Sequence, residues 1–404
     1  MQLSLICMSL ALLAIGVLGL VTSTGFAAIV LWAVPGYLRE RRQALAHMQT
    51  RPGFTPQLTL LKPLQGAEPG LESNLETFFI QDYPDYEILF CTRSPEDPGL
   101  AIARAVAARH PGIAAKFLST GGVPDYINAK AASMEIMEAA AAHDILVISD
   151  SDVRVTPDYL RAVALPFADP AVGGMTCPYR GVAAPGTGKR AGLWARLEAV
   201  GMSVEMTSGV LAARAMEGMQ FTLGPTMAFR RDTIRRMGGF KVTADFCSDD
   251  FILGNETHKL GQAVILSHHV IDHIVLNLSF LSSMKHQVRW MKSTRFSRPK
   301  GHLGTALTFS MPFALLALAA GLWMGHPFWG LALFAFGVAT RLALSIAVGR
   351  QVVQDSSWFN LLVLYPIRDL MGFCFWAASY TSRRILWRKR VFELLPGGRM
   401  RAVE

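Results

Sequence analysis

The first 38 residues contain no Asp, Glu, Lys or Arg. That run is longer than the roughly 20 apolar residues needed to cross the hydrocarbon core of a bilayer, so the fold must begin with a membrane helix. A cleaved leader would open on a basic segment and carry a shorter apolar stretch. Residues 4–33 are therefore expected to be a retained anchor. Arg39, Arg41 and Arg42 follow directly, and cations gather on the cytoplasmic side of membrane helices, which places the next domain in the cytosol and the N-terminus outside.

A second charge-free run, residues 302–340, is interrupted by Gly325-His326-Pro327. It reads as two spans joined by a tight turn, the second continuing past Arg341 to about Gly349. A third apolar segment, Trp358 to Tyr380, carries Arg368 and Asp369 at its centre. Such charges are expensive in hydrocarbon unless they face a bundle interior, water or each other. Three full spans after a cytosolic domain would leave the basic tail outside, although it contains Arg383, Arg384, Arg388, Lys389 and Arg390. Either the last segment is a re-entrant hairpin broken at Pro366 to Asp369, or the charge rule fails. The expected divisions are an anchor at 1–38, a cytosolic domain at 39–300, membrane segments at 301–382 and a basic tail at 383–404.

The net charge of +9 suits anionic headgroups. Nucleic acid is disfavoured because the excess cations cluster beside apolar spans and not in an RNA-binding motif. Cys7, Cys91, Cys177, Cys247 and Cys374 lack the paired spacing of a zinc site or disulfide framework.

Between the anchor and residue 300, strand and helix patterns alternate. Strands are expected at Gln57–Leu64, Tyr86–Arg93, Ala115–Ser119, Asp144–Ser149, Val172–Tyr179 and Ala263–Ile271. Helices are expected at 68–81, 99–110, 127–141, 157–168 and 249–260. This alternation implies an α/β domain with a mostly parallel sheet and its ligands at one sheet edge. In the segment 193–219, Leu193, Trp194, Leu197, Val200, Val204 and Leu211 make an apolar stripe. It is either an ordinary domain helix or an in-plane helix at the bilayer surface.

Asp150-Ser151-Asp152 ends the apolar run Ile145–Ile148. Two carboxylates at a strand end can reach one divalent cation; a solvated turn is the alternative. Asp97 lies in a turn before Pro98, where Asp commonly starts turns. Asp249-Asp250 opens a helix, and the pair either satisfies its N-terminus or holds one carboxyl raised in pKa for proton abstraction. Arg289-Trp290 sits in a basic stretch before the first C-terminal span, as a juxtamembrane anchor or as an Arg fork for phosphate. Lys62-Pro63 and Asn128-Ala129-Lys130 flank strand and helix ends and suit a nucleotide.

Taken in order, Leu61-Lys62-Pro63-Leu64-Gln65-Gly66, Asn74-Leu75-Glu76-Thr77-Phe78-Phe79 with Asp82-Tyr83-Pro84, Glu96-Asp97-Pro98, Asp150-Ser151-Asp152, Asp249-Asp250-Phe251 and Arg289-Trp290 resemble the ceramide glucosyltransferases. The resemblance implies a GT-A (Rossmann-like) nucleotide-sugar domain inserted between an N-terminal transmembrane anchor and a C-terminal transmembrane helix bundle. It implies a UDP-sugar donor, Mg²⁺ or Mn²⁺, and inversion at the anomeric carbon. It places Asp97 and Asp150 on the nucleotide, Asp152 with Asp150 on the metal, Asp250 beside Asp249 as general base, and Arg289 with Trp290 over diphosphate and acceptor. Lys62, Pro63 and Lys130 become secondary nucleotide-site candidates.

Two departures are visible. The family motif opens with Gln or Arg three residues before Arg-Trp, where this chain has His286, and His286-Gln287-Val288-Arg289-Trp290 looks more like bacterial members, including those that glycosylate hopanoids. Asp152 also stands where eukaryotic relatives have a small residue. The implied activity is transfer of a hexose to a lipid hydroxyl at a bacterial inner membrane, with the site facing the cytosol. Ceramide with UDP-glucose is the first acceptor and donor pair, and a hopanoid polyol with UDP-N-acetylglucosamine the second. A processive polysaccharide synthase would want more spans, and a non-enzymatic transporter would place its carboxylates among the spans.

Overall fold

The computed structural model describes residues 2–50, 53–184, 189–276, 279–387 and 390–403. In chain order the first elements are α1 (Gln2–Thr50), β1 (Leu58–Pro63), α2 (Leu71–Glu76), β2 (Tyr86–Thr92), α3 (Pro98–Ala108), β3 (Ala114–Ser119), α4 (Ala129–Ala140), β4 (Ile145–Ser149) and β5 (Val153–Arg154). They are followed by α5 (Tyr159–Ala164), β6 (Val172–Thr176), β7 (Tyr179–Ala183), α6 (Lys189–Val200), α7 (Thr207–Glu217), β8 (Thr226–Arg230), α8 (Arg231–Arg236), α9 (Asp249–Lys259), β9 (Ala263–Leu266) and β10 (Ile271–Val275). The last are α10 (Phe280–Ser297), α11 (Pro299–Thr305), α12 (Met311–Trp323), α13 (Pro327–Leu344), α14 (Tyr365–Ala378), β11 (Arg384–Trp387), β12 (Arg390–Leu394) and β13 (Met400–Ala402). Two compact units result: a helical one, Met1–Tyr37, Arg180–Met216 and Asn277–Leu386, and an α/β one, Leu38–Tyr179, Glu217–Leu276 and Trp387–Glu404.

The α/β unit is built on a seven-stranded sheet of order β3-β2-β1-β4-β8-β6-β9. β1 runs parallel to β2 and β4, and β2 parallel to β3. β8 is antiparallel to both of its neighbours, so the sheet is mixed where the pattern suggested mostly parallel strands. The central strands are buried on both faces, which is why their sequences read as continuous apolar runs and not as alternation. Met134 and Met137 of α4 and Leu253 of α9 pack with Leu61, Leu146 and Phe229 of the sheet into one core. That shared core seats both helices on the sheet.

Three expected elements are shorter than the pattern implied. Helix 68–81 shrinks to α2, which starts after Gly70 in left-handed backbone; beyond it Gln81 bonds the Thr156 carbonyl (3.0 Å). Strand 172–179 ends at Thr176 because the chain turns through Cys177-Pro178, and Pro cannot donate to a ladder. Segment 263–271 divides into β9 and the start of β10, which pairs antiparallel with β5.

Among the described residues, three helices are long and apolar enough to span a membrane: Cys7–Thr50, Pro327–Val352 and Asn360–Ala378. A fourth candidate is Pro299–Thr308 with Met311–Trp323, bent by 45°. Their outward side chains, such as Leu18, Trp32, Leu322, Phe328 and Trp329, are exposed as lipid contact requires. α1 approaches α12 closely: a Cβ on Gly19 would lie 2.0 Å from the Phe313 ring, so this crossing needs glycine. Residues 189–217 form α6, a π-helical turn at Gly201–Met206, and α7. Leu197, Val200, Val204 and Leu211 are buried there, as is Glu198.

The hairpin suggested at Pro366–Asp369 does not form. Asn360–Ala378 is one continuous helix, and Pro366 sits in the first turn of α14, where its missing N–H costs least. Arg368 and Asp369 instead face the bundle interior. Asp369 pairs with Arg341 (3.0 Å) and accepts the Ser310 and Met311 N–H groups (2.9 and 2.8 Å) at the start of α12. Arg368 meets Glu205 (3.2 Å) and Gln287 (3.0 Å). The bend among the C-terminal apolar helices falls instead between Thr308 and Met311. The tail hairpin of β12 and β13 packs in the α/β unit, with the Met400 N–H on the Asp245 carbonyl (2.7 Å).

Candidate active site

β1 and β4 are parallel neighbours, so Pro63 and Ser149 end at the same edge of the sheet. Lys62, on β1, is fully buried, with its ammonium 3.6 Å from the Phe78 ring centre. It donates to the Asp150 carbonyl (2.7 Å) and to the Ser149 hydroxyl (3.3 Å). Burial pulls its pKa down to about 7 against the attraction of Asp150 and Asp152. Lys62 thus fixes the backbone where the acidic pair begins. Pro63 ends the strand.

Lys130 lies in the first turn of α4, which Asn128 caps by accepting the Lys130 N–H (3.1 Å). Its ammonium reaches Asp150 (2.7 Å) and Asp249 (3.2 Å). Burial opposes the charge, but the two carboxylates overcome it and push the pKa upward. Lys130 therefore ties the end of β4 to the start of α9. Asp249 and Asp250 share the first turn of α9, which aims both at the same edge.

Asp250 accepts the Gly224 N–H at Oδ2 (2.9 Å) and the Phe251 N–H at Oδ1 (2.8 Å). Burial first, and the negative Asp249 second, raise its pKa to about 6. A Cβ at Gly224 would lie 3.4 Å from Asp250 Oδ2 and 3.8 Å from Asp150 Oδ2, so both carboxylates flank that glycine.

Asp152 is engaged on one side only. Its Oδ2 lies 3.3 Å from His273 Nε2, while its Oδ1 is buried with no hydrogen-bond partner. Ser151 is held away from the pair by Glu68 (2.8 Å) and Asn74 (3.1 Å). Among the described residues no three His, Cys, Asp or Glu side chains form a metal cage. The residues nonetheless fit a hard divalent cation, since Asp152, two residues after Asp150 in the chain, offers an unsatisfied buried oxygen. Mg²⁺ and Mn²⁺ typically take one or two carboxylates and complete their shell with phosphate and water.

Asp97 has a structural engagement as well. It accepts the Gly66 N–H (2.8 Å) after β1 and caps α3 through the Gly99 N–H (2.8 Å). His286, Arg289 and Trp290 belong to α10 in the helical unit. There His286 Nδ1 lies 2.7 Å from Glu198, which also accepts the Ser283 hydroxyl (2.7 Å), and the His286 and Trp290 rings are 4.3 Å apart. Sequence reasoning missed Gly224, His273 and Glu198. Each acts through a fold contact that no local motif signals.

Residues 15–400 match the model of glycosyl transferase family 21. The chain belongs to that family. Among characterised relatives, ceramide glucosyltransferase 1 of Caenorhabditis elegans is 24% identical over 364 residues, 88% of this chain and 75% of the relative. The ceramide glucosyltransferase of Komagataella phaffii is 33% identical over 144 residues, 34% of this chain and 28% of the relative. Among solved structures, a mannosyltransferase from Pyrobaculum calidifontis in complex with GDP-Man and Mn²⁺ is 18% identical, with a TM-score of 0.49, covering 91% of this chain and 98% of that one. This family 21 chain is a glycosyltransferase with an α/β domain on a seven-stranded mixed sheet and apolar helices in its N- and C-terminal regions.

Proposed function

We propose that this family 21 enzyme transfers a hexose from a UDP-sugar to the hydroxyl of a membrane lipid, with ceramide as acceptor and UDP-glucose as donor, and with inversion. The single observation that carries the reading is Asp250: a half-buried carboxyl, raised to about 6, held by two backbone N–H groups and adjacent to Asp249, which Lys130 ties to Asp150. Near neutral pH it is mostly ionised yet basic enough to accept a proton.

Asp250 takes the proton of the acceptor hydroxyl. The oxygen's electron pair then forms the new bond to the anomeric carbon as the bond to the diphosphate breaks on the opposite face. Lys130 holds Asp150 and Asp249 in place while charge moves to the leaving group. A divalent cation on Asp152 and Asp150 would supply electrostatic stabilisation of the diphosphate. On their motif we assign Arg289 to the diphosphate and Trp290 to the acceptor, and we keep Asp97, Lys62 and Pro63 on the nucleotide side.

The same reading places the α/β unit in the cytosol at a cell's inner membrane, with residues 193–219 at the headgroup plane. The hairpin β12–β13 bonds into that unit, so tail and domain share one side of the bilayer. The C-terminal apolar helices then cross an even number of times, and the basic tail obeys the charge rule.

The test is to incubate purified enzyme in lipid nanodiscs with radiolabelled UDP-glucose or UDP-N-acetylglucosamine and a lipid panel, with and without chelator. The expected result is metal-dependent label on ceramide. Label only on a hopanoid polyol would replace the acceptor, and label only in water-soluble polymer would end the lipid-acceptor reading.

A further inference from the structure

The segment between the 3₁₀ turn Phe240–Thr243 and α9 leads into the first turn in which Asp249 and Asp250 sit; that turn is held by the Thr222 hydroxyl on the Asp250 carbonyl (2.7 Å), by the Gly224 N–H and by Lys130. The segment before it is gripped through three consecutive carbonyls. Asn128 takes two of them: its N–H bonds the Ala244 carbonyl (2.8 Å) and its Nδ2 the Phe246 carbonyl (3.1 Å). The carbonyl between them, on Asp245, accepts the Met400 N–H (2.7 Å). The segment is therefore held from two elements, Asn128 at the start of α4 and the C-terminal hairpin.

The hairpin is built to deliver that contact. Phe392, Leu394 and Met400 are buried, and β12 and β13 pair in the register Phe392↔Ala402 and Leu394↔Met400. Its turn, Pro396-Gly397-Gly398, places both glycines at positive φ, 80° and 85°, where other residues are strained. Arg399 pairs with Phe246 in a β-bridge and sets its guanidinium 5.7 Å from the Phe246 ring centre. Asn128 also caps α4 and so positions Lys130, which makes the two grips parts of one arrangement.

We propose that the C-terminal hairpin is a positioning element of the active site: Arg399 and the Met400 N–H fix residues 244–248 and thereby the aim of Asp249 and Asp250. This rests on the reading of Asp250 as the base. Loss of the strap should lower the chemical step while leaving donor binding alone, since Lys62, Asp150 and Asp152 are held from other elements. A misplacement of about 1 Å in a reacting group can cost on the order of 100-fold.

The experiment uses the full-length enzyme in nanodiscs with UDP-glucose and ceramide, comparing Arg399→Ala, Arg399→Lys, deletion of residues 388–404, and Asp250→Asn. Arg399→Ala is expected to lower kcat roughly ten-fold at unchanged KM for UDP-glucose, with Arg399→Lys restoring most of it and the deletion falling to about 100-fold. Amide hydrogen exchange at Phe246–Phe251 should accelerate in Arg399→Ala, a readout that needs no substrate. Wild-type kcat in both Arg399→Ala and the deletion, or unchanged exchange at those amides, overturns the strap. If Asp250→Asn is inactive while the strap variants are normal, the strap fails alone; if Asp250→Asn turns over normally, the base assignment fails, and accelerated exchange still supports the strap. Should the deletion not fold, Arg399→Ala and Arg399→Lys carry the test.

Discussion

Two carboxylates, one in each unit, are treated in opposite ways. In the helical unit Asp369 is fully provided for: a guanidinium at 3.0 Å and two N–H groups at the start of α12 occupy its oxygens. In the α/β unit Asp250 sits beside a second carboxylate and is pushed up to about 6, and Asp152 keeps a buried oxygen without a partner. A satisfied buried acid holds helices together. An unsatisfied one stores a demand that a proton, a cation or a substrate can meet. The contrast separates structural from functional charge in a chain that contains both.

The largest effect should come from Asp250. Asp250→Asn keeps the size but has one acceptor oxygen for the two N–H groups and cannot take a proton, so kcat is expected to fall by roughly 10²–10⁴. Binding of UDP, followed by calorimetry in the presence of Mn²⁺, should stay within a few-fold. Unchanged turnover would move Asp250 to the structural side of the comparison.

Asp369→Ala tests the other side. Breaking a buried pair leaves Arg341 uncompensated and should destabilise the helical unit by about 3–5 kcal/mol. Replacing both partners, Arg341→Leu with Asp369→Leu, should cost less than either single change. Thermal unfolding in detergent reads this directly, and a double variant worse than both singles would show that the α12 N-terminus, not the ion pair, is what Asp369 serves.

Asp152→Ala comes next in size. It removes the unpartnered oxygen, and the expected result is a joint loss of about 10- to 100-fold in affinity for Mn²⁺ and for UDP, measured by calorimetry. UDP affinity that falls without any change in Mn²⁺ binding would place Asp152 on the nucleotide and not on a metal.

Much of this was legible in the chain because its physics is local. Charge-free runs announce spans, and continuous apolar runs announce strands buried on both faces, so β1, β2, β3 and β4 fall within one or two residues of expectation. Asp150, Asp249, Asp250 and Lys130 were also readable as candidates, since each stands at a strand end or helix start. What the chain conceals is pairing over distance. β8 is a five-residue strand with no flanking pattern, and its antiparallel run is decided by its neighbours. The tail reads as a cluster of cations, yet Met400 bonds Asp245 across more than a hundred residues. Arg368 and Asp369 looked like a break in a helix because composition cannot show that Arg341, Glu205 and Gln287 await them.

The smallest expected effect is the most diagnostic. Because burial and Asp249 raise the Asp250 pKa above the ordinary carboxylate range, its ionised form is full above about pH 7, half-populated near 6, and falls ten-fold per unit below that. As the base must be ionised, kcat should decline on the acid side with an apparent pKa near 6 and stay level above it. Asp249→Asn removes the neighbouring negative charge, so less opposes ionisation, and the acid limb should move to lower pH. The same change takes one acceptor from Lys130, which Asp150 still holds at 2.7 Å. A limb that stays in place would assign the shift to burial alone, and one that moves upward would contradict the electrostatic account of the pair.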